Sequence, residues 1–109
     1  MRKLFLPLSL LVLTLSNPVF SQTKIYEVVL KNNVFSPDVI VIPAGEKAQL
    51  LVKNEDSTPE EFESHELRRE KIIPGNSQAT IFLDALDSGE YPFFGEFHQD
   101  TAQGKIIAE

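Results

Sequence analysis

The stretch Gly89-Glu90-Tyr91-Pro92-Phe93-Phe94-Gly95-Glu96-Phe97-His98 decides how this chain is read. A turn signal, Asp87-Ser88-Gly89, introduces it. Aromatic residues then crowd together, as they do on a pleated, half-buried surface, so Tyr91 to Phe94 reads as a strand. Side chains alternate across a strand, which sends one of Phe93 and Phe94 into a core and the other outward. Beyond the strand come a carboxylate, a phenyl ring and an imidazole in three successive positions, Glu96, Phe97 and His98.

Outward from that stretch the chain continues as short strands and turns. Lys105 to Ala108 closes it. Upstream, Gln78 to Leu83 alternates, with Ala79, Ile81 and Leu83 on one side. Arg69 to Ile73 is extended and stops at Pro74-Gly75. Lys47 to Asn54 aligns Ala48, Leu50 and Val52. Val39 to Ile42 is β-branched and ends at Pro43-Ala44-Gly45, after a turn at Ser36-Pro37-Asp38. Lys24 to Lys31 aligns Tyr26, Val28 and Leu30. Asn54 to Glu61 is polar and contains Pro59, so it reads as a loop, and Phe62 to Arg69 reads either as a helical turn or as an irregular strand. About seven or eight short strands at roughly ten-residue spacing predict an all-β sandwich or barrel. No segment has the length and 3.6-residue period of a long amphipathic helix.

The 109 residues suffice for one domain. Met1-Arg2-Lys3 is basic, Leu4 to Leu15 is an apolar run, and Asn17 to Ser21 offers a turn with compact residues at Val19 and Ser21. These are the parts of a secretory signal peptide, expected over residues 1–21. The apolar run is shorter than the ~20 residues that span a bilayer. Cleavage after Ser21 leaves 88 of the 109 residues, a domain over 22–109. With no Cys, there is no disulfide and no lipid-anchoring thiol, so packing alone holds the domain and a periplasmic location is expected. Two of the ten Lys/Arg residues fall in the leader; the remainder carries eight basic against sixteen acidic residues, a net charge of −8. Such a surface repels nucleic acid and anionic lipid, and suits a cation or a basic partner. Excess acid also serves solubility alone.

Three stretches resemble cupredoxins. Asn33-Val34-Phe35-Ser36-Pro37, with Ile40, Ile42 and Pro43-Ala44-Gly45, is similar to that family's opening pattern. Leu51 to Asp56 is similar to the strand that delivers an Asn before the first ligand loop. Gly89 to His98, with Gly104-Lys105-Ile106 behind it, resembles the Gly-x-Tyr-x-Phe-x-Cys-x-x-His…Met-x-Gly ending of blue-copper proteins. The resemblance implies a Greek-key β-sandwich. Within the family, Glu61-Phe62-Glu63-Ser64 and Phe93 to His98 look most like the EfeO-type cupredoxin-like proteins of periplasmic iron uptake.

The departures from the pattern bear on chemistry. A blue-copper site is two His and one Cys thiolate with a weak axial Met. By the resemblance, Gly95 stands where the Cys would be, Ala102 near the Met, and Glu61, or else His65, at the first His; His98 keeps its register. Without a thiolate there is no intense blue absorption. Met1 is the only Met, so methionine-based Cu(I) handling is excluded.

What remains is a set of oxygen and imidazole ligands. Carboxylates favour hard cations, and imidazole suits Cu(II), Fe, Zn or Ni. The resemblance brings the first and last ligand loops to one end of the sandwich, so the expected metal ligands are His98, Glu61, Glu96 and Glu63, holding a divalent copper or iron ion. His98 binds as neutral imidazole, and affinity falls as pH drops through its titration range. Each residue also has a plainer account: solvated Glu side chains in an acidic loop, and a His98 that hydrogen-bonds the backbone. No enzyme motif is present, and the chemistry left open is single-turnover Fe(II) oxidation by a bound copper ion. The expected function is a periplasmic metal-binding accessory protein of iron uptake, working with a membrane permease or a periplasmic partner. The alternative is a metal-free interaction module on the same scaffold. After signal cleavage no direct membrane binding is expected.

Overall fold

Burial with period two runs through the strands that build the two sheets. In the strand Ala48–Asn54, residues 48, 50, 52 and 54 are buried and those between are half-buried. Period two is the mark of a strand with one face on a core. The computed structural model describes residues 23–109; the leader expected over residues 1–21 lies outside the described residues.

Nine strands are present among the described residues: β1 (Lys24–Lys31), β2 (Val34–Ser36), β3 (Val39–Ile42), β4 (Ala48–Asn54), β5 (Glu60–Ser64), β6 (Arg69–Ile73), β7 (Ser77–Leu83), β8 (Gly89–Gly95) and β9 (Gln103–Ala108). A single 3-10 turn, Glu96–His98, follows β8. One sheet runs β2-β1-β4-β7 and the other β3-β9-β8-β5-β6. The all-β sandwich read from the sequence is the observed architecture. The strand count is nine rather than seven or eight, because β2 has only three residues and shows no pattern of its own. The polar segment ending at Glu61 is corrected too. Its last residues, Glu60 and Glu61, already belong to β5, which resolves the ambiguous Phe62 region as strand followed by turn.

Between the sheets lies an apolar core centred on three rings. Phe62 and Phe93 stack at 5.0 Å between centroids, and Phe35 stands edge-on to Phe93 at 5.2 Å. Edge-to-face and offset stacking place the positive ring edges against negative faces. Phe93 is therefore the inward member of its pair and Phe94 the half-buried outer one. The close approach of β9 depends on Gly104, where a Cβ would lie 2.4 Å from the Phe93 ring.

One end of the sandwich is organised by Asn54, the last residue of β4. Its buried amide nitrogen donates to the carbonyls of Thr58 (2.9 Å) and Ile73 (3.2 Å), and its Oδ1 accepts from the Asp56 amide (3.0 Å). Asp56 in turn accepts from the amides of Asn32 and Asn33, at 2.7 and 2.9 Å. Those two residues have positive φ, the conformation of a two-residue hairpin turn, between β1 and β2. Asn54 thus ties a hairpin, the loop before β5 and the end of β6 together. Asn54→Ala strips one buried and two partly buried backbone groups of partners and is expected to destabilise the fold by about 2–3 kcal/mol. A lowered urea midpoint at unchanged slope is the check.

Candidate functional site

The site is built where β5 begins and β8 ends. Phe62 is in the core, so period two sends Glu60 and Ser64 inward and Glu61 and Glu63 outward. Glu60 is only 2% exposed. Its Oε1 accepts from the backbone amides of Glu61 (3.1 Å) and Phe97 (2.8 Å), and its Oε2 lies 2.5 Å from Nδ1 of His98. Among the described residues, no buried side-chain polar atom lacks a partner.

Gly95 and Ala102 complete this interior cluster. A Cβ on Gly95 would come within 2.6 Å of the Glu60 carboxyl carbon and 2.8 Å of Ala102 Cβ. The backbone closes around it: Gly95 N–H donates to the Ala102 carbonyl, and Ala102 N–H to the His98 carbonyl, each at 2.8 Å. The carboxylate that meets Gly95 and His98 is thus Glu60. Neither Glu61 nor His65, the sequence expectations for that position, stands there; β5 starts earlier than its composition suggests, and the register moves by one residue.

The outer face of the same sheet carries a second group. Glu63 pairs across the strands with Glu70 and with Phe94, and Glu61 with Ile72. Hydrogen bonding with Glu70 pushes the Glu61 carboxyl up to about 7, with further contributions from desolvation and from repulsion by Glu70, Glu63 and Glu96. Glu63 is raised as well, chiefly by hydrogen bonding with Glu96; nearby His65, with Nδ1 3.8 Å from Oε1, works weakly in the other direction. Like charges held together favour the protonated form.

The structure therefore brings Glu61, Glu63 and Glu96 together, adds Glu70, and engages His98 on the inner side with Glu60. Among the described residues, no three His, Asp or Glu side chains form a ready cage for a metal ion. The sequence reading missed Glu60 and Glu70. Counting back by two from a core Phe62 would have found Glu60; Glu70 needed the β5–β6 register.

The family model for the cupredoxin-like domain matches residues 4–108. An uncharacterized protein of Rickettsia prowazekii (strain Madrid E) is 46% identical over 81 residues, covering 74% of this chain. The match spans 65% of that relative's length. Among solved structures, a copper binding protein in its apo form superposes with a TM-score of 0.70 at 16% identity, over 81% of this chain and 90% of its own. The metal binding domain of the Cu(I)-exporting P-type ATPase CopA from Streptococcus pneumoniae D39 gives 0.67 at 12%, over 80% and 94%. Auracyanin A, a "blue" copper protein of Chloroflexus aurantiacus, gives 0.67 at 13%, over 78% and 98%. At these identities the structural likeness is one of fold. A blue-copper ion does not fit the residues present. The thiolate position is a glycine, and the Glu60 carboxylate and the Ala102 methyl leave that glycine no room for a side chain.

The raised Glu61 has a consequence for stability. The folded chain holds this proton more tightly than the unfolded chain, whose value is 4.5. The contribution is fully present below about 4.5 and is lost as pH rises through about 7. Melting temperature is expected to decline over that window, and Glu61→Gln, which cannot ionise, is expected to flatten the decline. Thermal melts of both proteins across the window, in one buffer series of constant ionic strength, provide the comparison.

Proposed function

The chain belongs to the cupredoxin-like domain family, and on that footing we propose that it is a periplasmic metal-binding accessory protein of iron uptake. It carries a hard cation on its carboxylate face and has no blue-copper centre. The observation behind this reading is the convergence of Glu61, Glu63, Glu70 and Glu96, crowded enough to hold a proton on Glu61 up to about 7. A divalent cation displaces such protons and neutralises the repulsion, so its binding strengthens as pH rises. Oxygen ligands select hard ions, which favours ferrous or ferric iron as cargo over Cu(I). Copper-binding relatives of the same fold support a metal as the ligand class. Export rests on the leader-like residues 1–21, and delivery to a membrane permease is the step that an accessory role implies.

Equilibrium dialysis with Fe(II) under anaerobic conditions, Cu(II) and Zn(II) at neutral pH tests the proposal, with elemental analysis as readout. About one equivalent retained by the wild type, and at least a tenfold weaker affinity in Glu61→Gln/Glu63→Gln, is the expected result. Less than stoichiometric retention of every metal overturns it.

A second reading keeps the scaffold without metal. Glu60, by filling the interior position, makes that end of the sandwich complete without an ion, and Phe97 stands half exposed beside the acidic face as a contact for a basic partner. Partner capture that persists in chelator favours this reading.

A further inference from the structure

The geometry points to the Glu60 carboxylate as the chain's own replacement for the metal ion of this fold, seated in a carboxylate-specific pocket formed by two backbone amides and an imidazole. This goes beyond the outer carboxylate face and does not depend on it.

Three observations carry the inference. The first is position. Glu60, Gly95, His98 and Ala102 meet at one point, and by the family resemblance Gly95 and His98 stand at the Cys and His positions of a blue-copper site, with Ala102 near the Met. The second is the filling of that point. Gly95 has no room for a side-chain atom because the Glu60 carboxyl carbon would lie 2.6 Å from it. Small residues at 95 and 102 are what the carboxylate requires at this point.

The third is the donor set. The two oxygens receive Glu61 N–H, Phe97 N–H and His98 Nδ1, from two segments more than thirty residues apart in sequence. A metal at such a place links loops by accepting electron pairs from side chains. Here the sign is inverted: an anion links them by accepting hydrogen bonds. Backbone amides at Glu61 and Phe97 are fixed by β5 and by the 3-10 turn, so the pocket is preorganised for a carboxylate, with His98 Nδ1 completing the donor set in its Nδ1–H tautomer. His98 Nδ1 faces the carboxylate, and a cation would have to displace it.

Removing the side chain while leaving the pocket gives a direct test. Glu60→Ala is expected to melt about 10 °C below the wild type. Sodium formate, the smallest carboxylate, is expected to restore much of that loss in a saturable way, while sodium chloride at equal ionic strength does not. In the wild type neither salt is expected to differ from the other. An unchanged melting temperature in Glu60→Ala, or a lowered one on which formate and chloride act alike, overturns the inference. Should Glu60→Ala fail to fold, Glu60→Gln keeps the volume and one acceptor but removes the charge. The expected result is then a lower melting temperature with faster amide exchange centred on Glu61 and Phe97. Wild-type melting and exchange in Glu60→Gln overturn the inference equally. Cu(II) supplies the last arm: stabilisation of Glu60→Ala by Cu(II) but not by formate would show a cation pocket and sink the proposal.

Discussion

A carboxylate in the interior of a small protein is the constraint around which this structure is arranged. Leaving water costs a charged group several kcal/mol unless hydrogen bonds replace the solvent. Glu60 finds three, from two pieces of chain: the Glu61 amide of its own strand, and the Phe97 amide and His98 imidazole of the turn after β8. The requirement spreads from there. Gly95 must lack a side chain, Ala102 must be small, and the 96–98 turn must aim an amide inward. A disulfide-free domain thereby gains a polar cross-link between two segments distant in sequence.

The same strand serves two kinds of chemistry because neighbouring side chains point to opposite faces. Glu60 looks inward and is neutralised by donors. Glu61 and Glu63 look outward and are crowded by Glu70 and Glu96, which raise both carboxyls through hydrogen bonding and repulsion. One side of β5 is therefore satisfied and closed, and the other is charged and unsatisfied.

Much of this was legible in the sequence, and the reasons for the rest are physical. Alternation identified β1, β4 and β7, whose inner faces are aliphatic, and the aromatic run identified β8. β2 left no trace, since three residues cannot display a period. The start of β5 was hidden because its residues, Glu60 to Ser64, are mostly polar and follow a turn-rich loop. Composition reads loop there, while pairing with β6 and β8 imposes strand. With the strand start hidden, Glu60 read as part of the polar loop and its inward direction went unseen. The choice of His98 as a residue of interest came from a family resemblance, and its partner lies 38 positions away. Contacts at such separation leave no local pattern to read.

The seam between the two sheets has its own implication. β6 and β7 are the last strands on their respective sheets and carry the open edges that invite pairing with another molecule. Arg69, at the start of β6, donates from Nε to the Phe82 carbonyl of β7 at 3.0 Å and reaches Asp84 with a terminal nitrogen at 3.3 Å. The guanidinium, held by Asp84 and by peptide carbonyls, occupies that border, so strand addition from a neighbouring chain there must displace it. One side chain therefore closes, on this side of the sandwich, a border that the backbone ladders of the two sheets leave open.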